Sequence, residues 1–310
     1  MEFYFAPLVG VTGYVYRNVH RELYPGIEKY FAPFISPNEQ GVCKSKEMRD
    51  ILPKNNEGTK MIPQILTNNV EYFRETAKQL LHFGYEEINL NLGCPSAPLV
   101  KRGRGSGFLA RREELKYFLE EITKIQGMRL SIKTRLGKDN PEEIYELMKI
   151  FNGVPLEELI IHARVQQDFY KNTPNMEVFK EAVAMSRHPI CYNGDIFTIE
   201  DYHAFVRDCP NVTKVMLGRG LLNTPDMVTK LAYGEETEVP GIRAFHDRIY
   251  EVYKQEITGE SHILNRMKQF WFYLNHNAIV NNPSWNLVKE CDSIEAYDAI
   301  VEQVIAAREE

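Results

Sequence analysis

The chain has 310 residues, of which 44% are hydrophobic and 26% are charged, and its formal net charge is −6. This composition is typical of globular proteins and excludes disordered, collagen-like and coiled-coil chains. No apolar run approaches the ~20 residues that a membrane-spanning helix needs, and an acid stands where a signal peptide would carry positive charge. We therefore expect a cytoplasmic protein without a membrane partner, built as two domains of about 150 residues or as a barrel of about 250 residues with an appendage.

Eight short apolar runs, rich in β-branched and aromatic residues, predict β-strands in order along the chain. The runs are too apolar to alternate between a buried and a solvated face, as expected for parallel strands that helices cover on both sides. The predicted strands are Phe3–Leu8, Lys29–Phe34, Lys60–Leu66, Glu87–Leu92, Arg129–Thr134, Glu158–His162, Pro189–Asn193 and Lys214–Leu217.

Helical periodicity lies between most of these strands, at Val70–His82, Arg112–Ile125, Pro141–Phe151, Val178–Met185 and Ile199–Arg207. Strands that alternate with helices imply right-handed βαβ units, and about eight of them predict an α/β fold of the closed (β/α)8 TIM-barrel type. An open doubly wound sheet is the alternative. It is disfavoured because no Gly-x-Gly-x-x-Gly motif opens the first helix.

The pattern changes after residue 239, because residues 240–310 show helical spacing only, as at Ile263, Met267 and Phe270. Ser293 is placed to cap a last helix over Ile294–Ala307. We therefore expect a barrel domain over residues 1–239 and a helical-bundle domain over residues 240–310. Within the barrel, the polar segment Ser36–Asn56 is interpreted as an irregular loop inserted at the mouth.

The five cysteines are spread thinly over the chain and no two have Cys-x-x-Cys spacing. This excludes a disulfide framework and a zinc-binding motif, and we expect no metal. A free cysteine is most often a buried apolar residue, which is the interpretation at four of the five positions. These are Cys43, Cys191, Cys209 and Cys291.

Active sites of TIM barrels lie at the carboxyl ends of the strands, where polar or glycine-containing groups follow the predicted strands. Gln64 and Lys133 suit the edges of a heteroaromatic ring, whereas Gly194 and the Gly218–Gly220 turn suit a phosphate because glycines expose backbone N–H groups. A ring with one phosphate and no second nucleotide fingerprint indicates FMN. Each group alone could be an ordinary polar residue, but their convergence favours a site. The groups are Ala6-Pro7-Leu8, Gln64, Asn91, Lys133 with Arg135, His162 with Arg164, Asn193-Gly194-Asp195 and Gly218-Arg219-Gly220.

Cys94 differs from the other cysteines, because it follows a strand end at Gly93 and precedes Pro95. This places it on a loop over the barrel mouth and favours a functional thiol. The stretch from Ile88 to Arg112 contains five basic residues and no acidic one, in a protein of net charge −6. A basic loop spaced by glycines suits a phosphodiester backbone, although a solvated basic loop is the alternative. Its basic residues are Lys101, Arg102, Arg104, Arg111 and Arg112.

The set of motifs resembles that of the tRNA-dihydrouridine synthases, in the same order and over essentially the whole chain. The motifs are Asn-x-Gly-Cys-Pro at 91–95, Lys-x-Arg-Leu-Gly at 133–137, His-x-Arg at 162–164, Asn-Gly-Asp at 193–195 and Gly-Arg-Gly at 218–220. Ala6-Pro7-Leu8 and the helical C-terminal part are also similar, although the family's usual Met is Leu8 here. The resemblance implies an FMN enzyme that reduces uridine in the D-loop of tRNA, with NADPH as the hydride donor. Separately, we expect the protein to be a monomer.

The resemblance also implies roles for single residues. Cys94 is the acid that protonates carbon 5 of the uracil, and Asn91 helps to position that base. Lys133 contacts the flavin ring, which Gln64 and His162 orient, and Arg164 serves either the flavin or the RNA. Backbone contacts to tRNA fall to Lys101, Arg102 and Arg104, with the helical domain gripping the tRNA body. The other cofactor-binding residues are Ala6, Pro7, Leu8, Asn193, Gly194, Asp195, Gly218 and Arg219.

Two other functions are compatible with parts of this sequence. A small-molecule FMN enzyme, such as a dihydropyrimidine or dihydroorotate dehydrogenase, also uses a barrel and a catalytic cysteine, but it needs neither the basic loop nor the helical domain. A tRNA-binding protein that has lost its flavin site is disfavoured because Cys94, Lys133, His162 and Arg219 are all present. The sequence does not indicate which D-loop uridine is the substrate.

Overall fold

The computed structural model describes residues 1–38, 43–274 and 283–309. Within these ranges nine β-segments form one sheet in which every neighbouring pair is parallel. The segments are β1 (Glu2–Phe5), β2 (Lys29–Phe31), β3 (Met61–Ile62), β4 (Gln64–Ile65), β5 (Glu87–Leu92), β6 (Arg129–Gly137), β7 (Glu158–Val165), β8 (Ile190–Asn193) and β9 (Lys214–Leu217).

The sheet closes into the predicted barrel at Pro63, which separates β3 from β4. The strand order runs from β3 through β2, β1, β9, β8, β7, β6 and β5 to β4, so both ends of the sheet belong to one stretch of chain. Pro63 has no N–H to donate, but its carbonyl accepts the N–H of Asn89 at 2.9 Å. The single strand predicted over Lys60–Leu66 is therefore two short segments, and the TIM-barrel prediction is confirmed.

Helices lie between the strands along the chain, and further helices come after the last strand. α3 has the predicted bounds, while α1 was not predicted although Val15, Tyr16 and Val19 are buried on one face. The segment Ser36–Asn56 was wrongly interpreted as irregular throughout, since it contains α2; its residues 39–42 lie outside the described residues. The helices are α1 (Tyr14–Leu23), α2 (Ser45–Ile51), α3 (Val70–His82), α4 (Ala97–Lys101), α5 (Arg112–Ile122), α6 (Glu143–Phe151), α7 (Met176–Met185), α8 (Ile199–Asp208), α9 (Arg219–Asn223), α10 (Met227–Tyr233), α11 (Ile242–Glu256), α12 (Glu260–Leu274), α13 (Pro283–Glu290) and α14 (Ile294–Glu309).

Every second side chain of each strand points into the barrel, so the interior is built in layers. The bottom layer, at the amino ends of the strands, is charged. Lys29 Nζ lies 2.7 Å from Glu87 and 2.9 Å from Glu158, whose other oxygen accepts from Lys214 and Tyr4 at 2.8 Å each. Burial would lower the pKa of Lys29, but the two carboxylates outweigh it and raise that pKa. A small apolar cluster lies above this floor. The polar mouth lies above the cluster, two residues further along the strands. The apolar cluster includes Phe31, Ile62, Ile160, Cys191 and Met216.

The C-terminal helices α11–α14 pack on the barrel beside α1. The rings of Tyr16 and Phe245 lie 5.4 Å apart in a T-shaped pair, and the Tyr24 hydroxyl donates to the carbonyl of Pro240 at 3.0 Å. Ser293 Oγ accepts the N–H of Ala296 at 3.1 Å, which confirms it as the cap of α14. Among the described residues, no helix is both long and apolar enough to cross a bilayer.

Candidate active site

A chain of buried amides lines one side of the barrel mouth. Asn89 Nδ2 donates to Ser131 Oγ at 2.9 Å, and Gln64 Nε2 donates to Asn89 Oδ1 at 2.7 Å. Asn91 Nδ2 then donates to Gln64 Oε1 at 2.7 Å, and Asn91 Oδ1 accepts the backbone N–H of Cys94 at 2.9 Å. The loop that carries Cys94 is thus tied to three strands by side chains that point into the barrel at every second position.

Cys94 lies on the loop after β5, half-buried at the mouth. Its carbonyl accepts both the N–H of Ser106 at 3.1 Å and the Ser106 hydroxyl at 2.8 Å. Gly105 passes so close that a Cβ on it would stand 2.7 Å from this carbonyl oxygen, and its φ of +56° is a conformation that glycine tolerates. Burial raises the pKa of the Cys94 thiol, although the Ser96 backbone and the charges of Arg135 and Lys133 oppose the shift. The thiol therefore stays protonated at neutral pH.

Lys133 projects from β6 into the same mouth, where its Nζ donates to Asn193 Oδ1 at 2.7 Å. Asn193 is held in turn by its own Nδ2, which donates to the carbonyl of Met216 on β9 at 2.9 Å. Burial, with the charge of Arg135, lowers the pKa of Lys133 to about 7. An ammonium in this position is destabilised, so a bound group that carries negative charge would be favoured beside it.

Two arginines and an aspartate occupy the far side of the mouth. Asp195 accepts from Arg164 through both carboxylate oxygens and from Arg219 Nη2 at 2.7 Å. Arg164 Nη1 also lies 3.2 Å from His162 Nε2, so this nitrogen accepts and the histidine is neutral. Burial and four surrounding cationic side chains hold the pKa of His162 well below its usual range. Arg164 is only 1% exposed, which separates it from the surface of the free protein.

The glycines after β8 and β9 allow two loops to approach each other closely. A Cβ on Gly220 would lie 2.0 Å from the carbonyl oxygen of Ile196, and one on Gly194 would lie 2.0 Å from the Tyr192 hydroxyl. A Cβ on Gly218 would meet Ala6, at the end of the neighbouring β1, at 3.4 Å. The structure therefore brings the predicted cofactor group together, with the segment Ala6-Pro7-Leu8 beside the glycine loops.

The basic loop, Lys101 to Arg104, borders the Cys94 loop. Lys101 and Arg102 are exposed, while Arg104 is half-buried with Nη1 3.5 Å from Ser36 Oγ. Gly103 takes a φ of +66°, which lets the chain turn between α4 and the segment that bonds to Cys94. The structure thus places the basic loop directly before the segment that is hydrogen-bonded to Cys94.

Three residues of the site were given no role from the sequence: Arg135, which was grouped with Lys133, and Ser106 and Tyr170, which were not singled out. Tyr170 is 51% exposed, and its ring lies 5.9 Å from that of His162 and 5.0 Å from the Arg219 guanidinium. The sequence holds a signal only for Arg135, which stands two positions after Lys133 on the same strand and therefore points the same way. Among the described residues, no group of three or more His, Cys, Asp or Glu could hold a metal ion.

The fold is similar to that of barrel proteins of known structure. It superposes on an old yellow enzyme homologue from Zymomonas mobilis with a TM-score of 0.55 and 11% identity, over 79% of this chain and 92% of that one. It superposes on histamine dehydrogenase from Rhizobium sp. 4-9 with a TM-score of 0.58 and 12% identity, over 75% of this chain and 46% of that one. At these identities the likeness establishes the fold.

The family is established by sequence. The family model described as dihydrouridine synthase (Dus) matches residues 4–303, so the chain belongs to this family and is a flavin-dependent oxidoreductase. A probable tRNA-dihydrouridine synthase of Staphylococcus aureus (strain COL) is 27% identical over 293 residues, 86% of this chain and 88% of the relative. The tRNA-dihydrouridine(16) synthase of Pseudomonas syringae pv. tomato is 27% identical over 188 residues, 60% of this chain and 59% of that protein.

Proposed function

We propose that the protein is a tRNA-dihydrouridine synthase, which binds FMN, uses NADPH as its reductant and reduces the 5,6 double bond of a D-loop uridine. The observation that carries the proposal is Cys94, a half-buried thiol on a fixed loop that is hydrogen-bonded to the segment following the basic loop. Burial raises the pKa of this thiol, as a proton donor requires. Its family and the names of its relatives support the same activity. A second substrate class has no comparable observation in its favour.

The residues at the mouth fit a flavin mononucleotide. The loops after β8 and β9 pack so closely that a Cβ on Gly194 or Gly220 would collide with neighbouring protein atoms. Glycines at such strand ends also suit a phosphate, because they leave backbone N–H groups uncovered. We assign the phosphate side of the cofactor to Asn193, Gly194, Gly218 and Arg219. Arg164 belongs to this side as well, because its buried guanidinium shares Asp195 with Arg219. The ring side falls to Gln64, Lys133 and His162, with Ala6-Pro7-Leu8 adjoining.

The chain's own residues supply the remaining chemistry. When bound and reduced by NADPH, FMN supplies the hydride that adds to carbon 6 of the uracil. Cys94 Sγ gives its proton to carbon 5 on the opposite face, and the resulting thiolate recovers a proton from solvent. Lys133 stabilises negative charge on the ring, and the second amide hydrogen of Asn91 orients the uracil. The raised pKa of Cys94 keeps this acid loaded before each turnover.

The RNA substrate requires further contacts, because a uridine stacked in folded tRNA must swing out to reach the mouth. We assign phosphate contacts to Lys101, Arg102 and Arg104, and contact with the tRNA body to residues 240–310. The second assignment rests on Arg266, half-buried on α12 and near Gly10 and Val11, which follow β1. Residues 240–310 contain seven Lys and Arg and eleven Asp and Glu. Because this region is acidic as a whole, only a local basic surface within it can bind the phosphates of tRNA.

The decisive experiment maps dihydrouridine in tRNA from cells that lack this protein. We expect one D-loop position, or a few, to be unmodified, and purified protein with NADPH to restore dihydrouridine to that tRNA. Unchanged tRNA from the deleted cells, together with reduction of free dihydropyrimidine precursors by the purified protein, would contradict the proposal and favour the small-molecule dehydrogenase.

We expect the purified protein to be yellow and to release FMN on denaturation. The mouth offers one pair of glycine loops for one phosphate, and the chain has no adenosine-binding fingerprint. Chromatography of the released flavin against FMN and FAD standards checks this. FAD, or no flavin after incubation of the apoprotein with FMN, would contradict the cofactor assignment.

We expect Arg219→Ala to weaken FMN retention, because a charge-assisted phosphate contact contributes about 1.5–3 kcal/mol. The measurement is the dissociation constant of FMN from the apoprotein by fluorescence quenching. Arg207→Ala is the matched control, since this exposed arginine lies on the outer helix α8. Equal FMN affinity in the two variants would remove Arg219 from the phosphate site.

A further inference from the structure

Arg135 lies at the mouth, level with His162, where the loops after β5 and β7 meet. Its Nε donates to the carbonyl of Gly93 at 2.8 Å, its Nη1 to Val165 at 2.8 Å and its Nη2 to Phe169 at 2.9 Å. The residue is only 1% exposed, so the free protein presents almost none of it to a ligand. Three nitrogens of one planar group thus bind three carbonyls on two loops, a geometry that only a guanidinium can supply.

The first loop carries Cys94. Its backbone is fixed from three directions: Asn91 Oδ1 accepts the N–H of Cys94, Ser106 donates to the Cys94 carbonyl, and Arg135 holds the carbonyl of Gly93. Of these anchors, Arg135 alone comes from the strand that also carries Lys133. The position of the thiol relative to Lys133 therefore depends on this guanidinium.

The second loop carries Tyr170. Phe169 has a φ of +50°, the sole positive φ outside glycine among the described residues. Such a conformation persists when its surroundings over-determine it, and here Arg135 binds the Phe169 carbonyl. The guanidinium also lies 5.6 Å from the centre of the Tyr170 ring, which stands over His162. One side chain thus sets the two loops at a fixed separation across the mouth.

We propose that Arg135 is a positioning residue, which holds the Cys94 loop and the Phe169–Tyr170 loop in the relative placement that uridine reduction requires. It touches neither the substrate nor the reacting atoms and acts through the carbonyls it binds. This inference rests on the proposed function of Cys94 as the proton donor. A displacement of about 1 Å at a reacting group costs about 10²-fold in rate, which sets the size of the expected effect.

The test compares Arg135→Lys, Arg135→Met and the matched control Arg129→Met in the flavin-loaded protein. Arg129 begins the same strand but is exposed and pairs with Glu157 at 3.1 Å. Two rates are followed by flavin absorbance: reduction by NADPH, and reoxidation by tRNA that lacks dihydrouridine. We expect both Arg135 variants to lose about 10²-fold in reoxidation by tRNA and to keep reduction by NADPH within a few-fold. The control should match the wild type in both rates.

The pH dependence of alkylation at Cys94, read by mass spectrometry of its peptide, separates positioning from charge. Arg135 lowers the pKa of the Cys94 thiol through its charge, so Arg135→Met should shift the alkylation profile to higher pH. Arg135→Lys keeps the charge but cannot bind three carbonyls, so it should leave the profile near that of the wild type while still losing the reoxidation rate. If Arg135→Met does not fold, Arg135→Lys decides the question.

Normal reoxidation by tRNA in Arg135→Lys would overturn the proposal. So would an equal loss of flavin content, NADPH reduction and tRNA reoxidation, because that pattern belongs to general structural support. Failure of the proposed function is recognised separately: the wild type would not be reoxidised by tRNA, or Cys94→Ala would be reoxidised at the wild-type rate.

Discussion

Cys94→Ala is expected to reduce the rate of uridine reduction in tRNA by about 10²–10⁴-fold, which is the usual cost of losing a positioned general acid. Flavin content and flavin reduction by NADPH should persist, because no atom of the thiol forms part of the amide chain from Ser131 to Asn91. The measurement is single-turnover reoxidation of the reduced flavin by tRNA. Near-normal dihydrouridine formation by Cys94→Ala would refute the assignment.

Cys209→Ala is the matched control for this experiment. Cys209 is buried at the end of α8, outside the mouth, so its removal should change stability more than chemistry. Replacement of Cys191, in the apolar cluster below the mouth, or of Cys291 should likewise change stability more than chemistry. The same outcome is expected for Cys43, which is half-buried and not fully buried as the sequence predicted. A control that loses uridine reduction as strongly as Cys94→Ala would show that the assay reports general damage.

The pH dependence of the same step follows from the raised pKa of the Cys94 thiol. The acid must be protonated to act, so the rate of uridine reduction should be flat at neutral pH and fall as the pH rises through that pKa. Cys94→Ser should be slow at every pH and lack this fall, because a hydroxyl is a far weaker acid. A wild-type rate that increases with pH across this range would assign the residue to a different role, as a thiolate nucleophile.

The strand ends of the site could be predicted because their chemistry is local in sequence. Lys133 with Arg135, and His162 with Arg164, are pairs two residues apart on one strand, so a period of two sends both members into the barrel. What could not be predicted is which side chains meet. Asp195, on the loop after β8, accepts from Arg164 of β7 and from Arg219 of α9, and no pattern within one segment specifies such a contact.

The barrel floor was missed for a different reason. Strands such as Glu87–Leu92 were interpreted as apolar and covered by helices, yet Lys29, Glu87, Glu158 and Lys214 stand at their first positions and point inward. A charged residue at a predicted strand start is normally an exposed end. Only closure of the barrel brings these groups together. There the attraction between the lysines and the glutamates offsets the cost of removing their charges from water.

The basic residues of α12 do not form one face. Arg266 and Lys268 are two positions apart on this helix, and residues two apart on a helix do not face the same way. The charge of Arg266 opposes the raised pKa of Tyr253 on α11, whereas the charge of Lys268 opposes the raised pKa of Cys291, which follows α13. The two cations therefore lie beside different helices. Two further cations of this region are paired with acids, Arg243 with Glu302 and Arg248 with Glu22. The strongest basic surface near the mouth is therefore the loop of the barrel.

Simultaneous replacement of Lys101, Arg102 and Arg104 by Ala is expected to weaken tRNA binding and flatten its salt dependence. Each lost phosphate contact removes about 0.7–0.9 of the log–log slope, so three contacts remove roughly two to three. If the binding curves converge near 1 M salt, the affinity falls by about 10²-fold at 0.1 M. Flavin reduction by NADPH should survive, because these side chains are not assigned to the cofactor. The measurement is a salt titration of tRNA affinity by filter binding.

The matched control replaces three lysines on the outer surface of the barrel domain: Lys78, Lys124 and Lys149 are exposed and paired with acids three residues away. This control loses the same total charge as the test variant, so a general effect of net charge would appear equally in both. An unchanged affinity and salt slope in the loop variant would refute the contact. Loss of flavin would instead assign the loop to the cofactor, because Ser106 connects it to Cys94 at the mouth. We expect weaker tRNA binding with intact flavin in the loop variant alone. This pattern follows if tRNA affinity depends on where the basic residues lie and not on the total charge of the protein.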